Sequence, residues 1–258
     1  MEEKQVPELG QTLQVSDLLK DKSLDSNGSL TAQVFNILKE LIITIKLHPG
    51  QMLSEKEVAE SLQASKTPIR EAMIRLQGSG LVEIIPKKGT FVTSIKIDRY
   101  IEACFIRLQL EVGAVRRAAE QRGNWNVSLK MDSLLLKQEQ ALKDKKDQLF
   151  FQLDEALHQA FFDAAGVSGV WKTLKDTQGD VYRMRYLKRL HNIRRESAVI
   201  EEHRAIVDAI KSGSPDDAEA AIVKHVGSLE GEVVELSSHA DLLDFIETLN
   251  SGRFKHRA

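Results

Sequence analysis

Hydrophobic positions in the first part of the chain follow first a helical spacing and then a strand-like alternation. Apolar residues recur every three or four positions over residues 30–47, and the sequence His-Pro-Gly then ends the pattern. Two shorter helical patterns follow. After them come two segments, LVEII and TFVTS, which lie on either side of residues 86–89. Both have the β-branched, alternating pattern that is typical of paired strands. Three helices followed by a hairpin predict a winged helix-turn-helix.

The starts of the second and third helices carry capping signals. Ser54 is followed three residues later by Glu57, which is a capping box. In the third helix, Thr67 is followed by Pro68. This pair predicts Thr67 as the N-cap and Pro68 as the first helical residue. The apolar stripe of this third helix predicts a buried face made of Ile69, Ala72, Met73 and Leu76.

The opposite face of the third helix is polar and basic. In a winged helix-turn-helix this helix reads DNA with the residues of its first turns, and the hairpin tip approaches the sugar-phosphate backbone or the minor groove. The candidate DNA-binding residues are therefore Lys66, Thr67, Arg70 and Arg75 on the helix and Lys87, Lys88 and Gly89 at the tip. Charge alone is weak evidence, because residues 30–97 hold nine basic and six acidic side chains.

The same stretch resembles the DNA-binding domain of the GntR-type transcriptional regulators. The similarity is carried by TPIREAM in the third helix, GLV in the strand that follows and KKGTFV in the hairpin, and it covers roughly residues 30–97. The resemblance implies that the domain binds double-stranded operator DNA and that the protein is a homodimer.

Helical patterns fill the rest of the chain. They predict helices over residues 98–121, 126–145, 147–165, 168–190, 196–212 and 215–237, with a short one over 241–249. The predicted fold class is mainly α: an N-terminal winged helix-turn-helix followed by an antiparallel helical bundle. The predicted domains are a flexible arm (1–29) with a short helix at VSDLLK, the DNA-binding domain (30–97), a helical ligand-binding and dimerisation domain (98–240) and a C-terminal extension (241–258).

Composition limits the class of protein. The 258 residues can form two ordinary domains, and no apolar run reaches the ~18 residues of a membrane span. The N-terminus, MEEKQVPELGQ, is acidic and polar and so differs from a secretion signal. A single cysteine, Cys104, excludes an internal disulfide. We therefore expect a soluble cytoplasmic protein.

Polar residues interrupt the apolar faces of three predicted helices. Asp154 and His158 lie one turn apart on the inner face of one helix, and His203 and His225 lie on the inner faces of two others. Buried polar groups need partners, and one divalent metal would satisfy all four; Zn²⁺, Ni²⁺, Mn²⁺ and Fe²⁺ suit such ligands. The alternative is that each histidine is bonded separately within the core.

The bundle resembles the FCD-type effector domain of the fatty-acid-regulator branch of GntR proteins. The similarity lies in FxxxDxxxHxxxFxxAG, EHRAIVDAIKSG and AIVKH, over roughly residues 98–236. It implies that Asp154, His158, His203 and His225 hold a divalent metal, which in turn binds a small organic acid. The RLQLE motif matches the arginine that faces the ligand pocket, which here is Arg107. An alternative for Arg107 is a pair with Glu111 one turn away.

Together these observations predict a dimeric, ligand-responsive, DNA-binding transcriptional regulator that is not an enzyme. Two alternatives remain at this level. A helical metal-dependent hydrolase or oxygenase could use the same ligands, although the sequence offers no separate nucleophile or general-base motif. The second alternative is a DNA-binding regulator whose helical bundle contains no metal and serves only as a structural dimerisation unit.

Overall fold

A computed structural model describes residues 13–25, 27–121, 125–193, 195–227 and 229–252, without the side chains of residues 125, 126, 229 and 230. Over these residues the chain is mainly helical with one small sheet, which confirms the predicted fold class. The elements are α1 (Val15–Leu19), α2 (Leu30–Ile43), β1 (Met52–Leu53), α3 (Glu55–Ser61), α4 (Lys66–Gly78), β2 (Val82–Ile85), β3 (Gly89–Val92), α5 (Ile97–Glu120), α6 (Trp125–Lys143), α7 (Asp147–Ala164), α8 (Ser168–Thr177), α9 (Gly179–Leu190), α10 (Glu196–Ser212), α11 (Pro215–Val226), α12 (Leu229–Ser237) and α13 (Ala240–Asn250).

The chain forms two compact units. The first contains the residues up to Tyr100, together with Asp176–Ile193 and the residues from Leu236 onward. The second contains Ile101–Lys175 and the segment from Arg194 to Glu235. The predicted helical domain, residues 98–240, is therefore divided between the two units, because α9 packs with the first.

The winged helix-turn-helix is built around helices α2, α3 and α4. The predicted inner face of α4 is buried, and so are the apolar residues of α2 and α3 that pack with it. The sheet has the order β1-β3-β2, and β2 and β3 form the predicted hairpin, with Ile85 opposite Gly89. The two-residue strand β1, which the alternation did not reveal, pairs antiparallel with β3.

Helix α4 begins two residues earlier than predicted, at Lys66 instead of Pro68. Ser65 has extended backbone angles (φ −71°, ψ 160°) and the helix starts at Lys66, so Thr67 lies inside it. Pro68 is then the third helical residue. Proline is compatible with this position because the first amides of a helix have no partner within the helix. At α3, by contrast, Ser54 is the N-cap as predicted and accepts from the Glu57 amide.

The predicted flexible arm is in part a folded segment. Residues 1–12 lie outside the described residues, but α1 follows them and buries Val15 and Leu19 in the core of the first unit. The Ser16 amide donates to Glu57 Oε1 on α3, at 3.1 Å. The short helix expected at VSDLLK is therefore present as α1, but it packs against the first unit and is not part of a mobile arm.

Two predicted helices of the second half are interrupted. The helix expected over 168–190 is divided into α8 and α9 at Gln178, and the one expected over 215–237 is divided into α11 and α12. The second break lies at Gly227, whose φ of 90° is incompatible with a continuing right-handed helix. The other predicted helices occur within a few residues of their expected ends.

The core of the second unit is contributed by helices α5, α6, α7, α8, α10 and α11. Aromatic residues Phe161, Phe162 and Trp171 lie at its centre among small and branched apolar side chains. In the part of the chain that the structure describes, no helix combines the length and the apolar character needed to cross a membrane.

Candidate metal centre and nucleic-acid interface

The exposed face of α4 carries the predicted basic residues. Lys66, Thr67 and Arg70 all lie exposed on the first two turns of the helix, where the partial positive charge of the helix N-terminus adds to the charge of the side chains. The Arg70 side chain is 71% exposed and lies 3.4 Å from Glu55 of α3. An ion pair this exposed is weak, and it leaves the guanidinium available for exchange with another anion.

Arg75 lies further along the same face and has a different environment. Its guanidinium carbon lies 4.4 Å from the centre of the Phe35 ring on α2, which is a cation-π contact. Beside it, Glu71 accepts a hydrogen bond from Thr31 at 2.7 Å. These contacts hold α4 against α2, so Arg75 has a structural role in addition to its exposed position.

The tip of the hairpin presents two lysines. Lys87 and Lys88 are exposed in the three-residue turn between β2 and β3, and the Lys88 amide donates to the Ile85 carbonyl at 3.1 Å. Lys87 has a φ of 64° and Gly89 a φ of 128°. The left-handed turn projects both lysine side chains away from the sheet, as the prediction of a basic wing requires. We call Lys66, Thr67, Arg70, Arg75, Lys87, Lys88 and Gly89 the reader surface.

The second predicted site brings residues from three helices together. Asp154 and His158 come from α7, His203 from α10 and His225 from α11, and all four are buried. Each offers one ligand atom, and these atoms all lie within 4.8 Å of one another. We call these four residues the histidine cluster. The sequence pattern indicated that they point inward, and the structure adds that they are adjacent.

The spacing of the ligand atoms matches that around one metal ion. His225 Nε2 lies 3.1 Å from His158 Nε2 and 3.2 Å from His203 Nε2. His203 Nε2 lies 3.5 Å from Asp154 Oδ1. Ligands bound at about 2.0–2.2 Å are about 3 Å apart at right angles and about 3.4 Å apart in a tetrahedron. Each of these distances is therefore close to a metal-bound arrangement.

The other ring nitrogen of each histidine contacts an oxygen. His158 Nδ1 lies 2.8 Å from Glu111 Oε2, and His225 Nδ1 lies 3.0 Å from Glu202 Oε2. His203 Nδ1 donates to Gln138 Oε1 at 2.9 Å. An acceptor at Nδ1 places the hydrogen there and turns the Nε2 lone pair toward the ligand position, which is the usual arrangement of metal-binding histidines.

This tautomer has an electrostatic consequence. With hydrogen on every Nδ1, the Nε2 atoms of His203 and His225 face each other at 3.2 Å with their lone pairs. Two acceptors at that distance repel each other, so a positive charge between them would stabilise this arrangement. A divalent cation supplies this charge without disturbing the contacts at Nδ1. The residues present therefore fit a metal ion.

Arg107 makes the pair with Glu111 and also lies beside the histidine cluster, so the two interpretations of its sequence position are compatible. Its Nε donates to Glu111 Oε1 at 2.7 Å, the expected pair one turn apart, yet both side chains are buried. Its Nη2 lies 3.1 Å from His158 Nε2, so the guanidinium borders the histidine cluster. Burial alone would raise the pKa of Glu111, but Arg107 and His158 outweigh burial and lower it to about 2. Glu111 is therefore ionised.

Three residues that hold the histidines were not identified from the sequence as site residues: Glu111, Gln138 and Glu202. Burial raises the pKa of Glu202, and Arg195, whose Nη2 donates to Glu202 Oε1 at 2.6 Å, opposes this effect. One signal was present, since Glu202 directly precedes His203. Gln138 gave none, because a lone amide on an otherwise ordinary helix has no recognisable spacing.

Aromatic rings form one wall of the cluster. The His158 ring meets Phe161 edge-on at 5.3 Å between centroids and is nearly parallel to Trp171 of α8 at 6.5 Å. Trp171 also contacts Phe162, at 5.6 Å. An apolar wall excludes water and lowers the local dielectric constant, which strengthens the interaction between a cation and its ligands.

A winged helix-turn-helix with exposed cations, followed by a helical unit with a buried polar cluster, defines the class of ligand-responsive DNA-binding regulators. Two family descriptions match the chain: residues 30–92 match "Bacterial regulatory proteins, gntR family", and residues 102–228 match the "FCD domain". The chain belongs to the GntR family, in the branch with an FCD domain, and is a transcriptional regulator.

Individual relatives agree with this assignment. An uncharacterized HTH-type transcriptional regulator in an unstable DNA locus of Streptomyces ambofaciens is 32% identical over 79% of this chain and 84% of its own length. The HTH-type transcriptional repressor RspR of Escherichia coli is 28% identical over 84% of this chain and 94% of its own. The solved structure of E. coli McbR/YncC has the same fold, with a TM-score of 0.64, 22% identity, and coverage of 84% of this chain and 99% of that one.

Proposed function

We propose that the protein is a homodimeric regulator that binds operator DNA through the reader surface and responds to a small carboxylate held at a divalent metal in the histidine cluster. The convergence of three Nε2 atoms and one carboxylate, each histidine oriented by an oxygen at Nδ1, carries the proposal. Such an arrangement costs free energy in a core unless a cation compensates for it.

Asp154, His158, His203 and His225 would hold the ion, and nitrogen and oxygen ligands of this kind suit Zn²⁺, Ni²⁺, Mn²⁺ or Fe²⁺. An ion held there would provide a Lewis acid for the oxygens of a small carboxylate. Arg107 beside His158 supplies a second positive group for the same ligand. With three neutral imidazoles, Arg107 and a divalent cation outweigh Asp154 and Glu111, so the site favours an anion.

On DNA, the first turns of α4 would enter the major groove. Lys66, Thr67 and Arg70 are positioned to contact base edges or the adjoining phosphates, while Lys87, Lys88 and Gly89 approach the backbone or the minor groove. We expect Arg75 to contribute less than Arg70, because its guanidinium is held on the Phe35 ring. Two copies of this surface in a dimer would match the two halves of a palindromic operator.

The ligand would act by linkage. A carboxylate that binds one arrangement of the dimer more tightly than another changes the affinity for DNA by the same free energy. We place this activity in the cytoplasm, with the chromosome. No catalytic turnover is proposed, since the named relatives are transcriptional regulators and the polar groups around the cluster serve to orient its histidines.

Metal content tests this proposal directly. Purified wild-type protein should contain about one divalent ion per chain by elemental analysis, and the double variant His203→Ala, His225→Ala should contain almost none. His191→Ala is a matched control, because His191 pairs with Asp241 on a different helix and lies outside the cluster. Its metal content should equal that of the wild type.

Thermal unfolding gives an independent measurement. Chelation should lower the unfolding midpoint of the wild type by about 10 °C, and adding back Ni²⁺ or Zn²⁺ should restore it. The double variant should not respond to either treatment. Equal metal content in the wild type and the double variant, or a midpoint that chelation leaves unchanged, would contradict the metal site.

A further inference from the structure

The segment that joins the winged helix-turn-helix to α5 is bonded by a residue from near the end of the chain. Asn250, the last residue of α13, bonds Ile95 twice: the Ile95 amide donates to Asn250 Oδ1 at 2.8 Å, and Asn250 Nδ2 donates to the Ile95 carbonyl at 2.8 Å. Ile95 is buried, so its backbone amide and carbonyl need hydrogen-bond partners. The Asn250 side chain supplies both. We call residues 93–99, which include the first three residues of α5, the junction.

A buried arginine of α9 bonds the same segment. Arg183 is completely buried, and its Nη1 donates to the Thr93 carbonyl at 2.7 Å. Its Nη2 donates to Thr93 Oγ1 at 3.1 Å, and Asp180 of the same helix pairs with the guanidinium. A buried guanidinium fork on the carbonyl and the hydroxyl of one residue holds a segment in one position and orientation.

The junction is in turn connected to the end of the recognition helix α4. The Gly80 carbonyl, two residues beyond α4, accepts from Thr93 Oγ1 at 2.7 Å and from Arg99 Nη2 at 3.0 Å. Arg99 also lies 3.3 Å from Asp180. The contacts therefore run from α9 through the junction to the turn that fixes the direction of α4.

Helix α9 lies directly against that turn. A Cβ placed on Gly179, the first residue of α9, would lie 2.6 Å from the Ser79 carbonyl and 3.0 Å from the Leu81 side chain. Only glycine permits this close approach of two backbones. The end of α4 therefore rests on α9, with no room for an intervening side chain.

Helix α13 completes the arrangement. Its Leu242, Ile246 and Leu249 are buried, and Asp241 lies 3.0 Å from His191, at the end of α9. This helix follows the region that matches the FCD domain, which ends at residue 228. Its contacts with the junction are thus a feature of this chain beyond the matched family domains.

We propose that Arg183 and Asn250 form a clasp that fixes the junction and thereby sets the direction of α4 for operator recognition. The inference rests on the proposed function, because it concerns a dimer with two recognition helices. The two helices must be held at one separation and angle to enter two half-sites at once, and a clasp on the junction supplies that constraint. Contact with a single half-site needs only the reader surface.

The test uses the full-length protein and an operator selected by the wild type from a pool of random duplexes. Binding is then measured on that operator, on versions with one base pair added or removed between the half-sites, and on a single half-site. The variants are Asn250→Ala, which removes both bonds to Ile95, and Arg183→Lys, which keeps the charge and loses the fork. Thr248→Ala is the control, because the Thr248 hydroxyl donates to the Asp244 carbonyl within its own helix.

The wild type and Thr248→Ala should lose about tenfold or more in affinity when the spacing changes by one base pair. Asn250→Ala and Arg183→Lys should lose less than about threefold, and all four proteins should bind the single half-site equally. A general loss of folding would weaken half-site binding as well, so the two effects are separable.

Two results would overturn the inference in different ways. If both clasp variants discriminate between spacings as strongly as the wild type, the clasp does not set the recognition geometry, and the proposed function is unaffected. If the wild type selects only single half-sites, the proposed dimeric recognition itself fails.

Discussion

The reader surface and the histidine cluster prepare charged groups in opposite ways. Around the reader surface, the cations are exposed and their contacts are few, such as Arg70 with Glu55 at 3.4 Å. In the histidine cluster, every imidazole is buried and each Nδ1 meets an oxygen. The first arrangement can exchange one anion for another at small cost, while the ligand atoms of the second already have the spacing that a metal ion would need.

This difference agrees with the ligands that we propose for the two sites. DNA brings a dense array of phosphates, so side chains that remain mobile in water can adapt to it, and the affinity depends strongly on salt. A metal ion must instead be taken from water by ligands that are in place beforehand, because moving them later would forfeit the contacts at Nδ1. Substitutions of the exposed cations Lys66, Arg70, Lys87 and Lys88 should therefore affect function alone, whereas substitutions at the cluster should affect stability and function together.

The largest expected effect is on the reader surface. Arg70→Ala should lower operator affinity by about 100-fold or more in a gel-retardation assay, since each of the two half-sites loses a contact to base or phosphate. The unfolding midpoint should remain unchanged, because the side chain is 71% exposed. Lys137→Ala, which removes an exposed cation of α6, is the matched control. Full affinity in the Arg70 variant would reject this assignment.

At the cluster, Glu111→Gln should reduce both stability and metal affinity. The substitution removes the charge that Arg107 and His158 share in the core, which should cost about 3 kcal/mol in the free energy of unfolding. Metal affinity should fall about 10- to 100-fold, because His158 loses the carboxylate that orients it. Denaturant titration and competition with a chelator measure the two effects.

Glu120→Gln, at an exposed position of the same helix, should change neither quantity. A Glu111 variant with wild-type stability would show that the buried pair is dispensable, and the contrast between the two sites would then disappear.

The smallest effect is expected from the partner of Arg70. Glu55→Gln removes an exposed ion pair, so the free energy of unfolding should change by less than about 1 kcal/mol. Operator affinity should rise by about two- to fivefold at low salt, because Arg70 no longer has a competing carboxylate and the repulsion of phosphate is reduced. Weaker binding by this variant would mean that Glu55 positions Arg70 for DNA rather than competing for it.

Periodicity predicted most of the fold because most elements are amphipathic. The inner stripe of α4 and the alternating strands of the hairpin were found from spacing alone, and the structure buries the residues that the spacing indicated. The break at Gly227 was missed because apolar residues continue across it at helical intervals, while one positive φ ends the helix. The burial of α1 was missed because two apolar residues are too few to form a pattern.

For the site, spacing showed which side chains face inward, and the family resemblance indicated that four of them belong together. The orienting contacts could not be predicted, because they join residues far apart in sequence, such as Gln138 and His203. The positions of Arg183 and Asn250 could not be predicted for a similar reason. Both side chains bond backbone atoms, and a backbone partner leaves no trace in the sequence.

At the end of α11, beside Gly227, Arg195 approaches His225 in two ways. Since α11 stops at Val226, the carbonyl of His225 has no amide one turn ahead within the helix, and Arg195 Nη1 approaches it at 3.5 Å. The other terminal nitrogen of Arg195 holds Glu202, which contacts the His225 ring. A single guanidinium thus contacts this histidine at its main chain and, by way of Glu202, at its side chain.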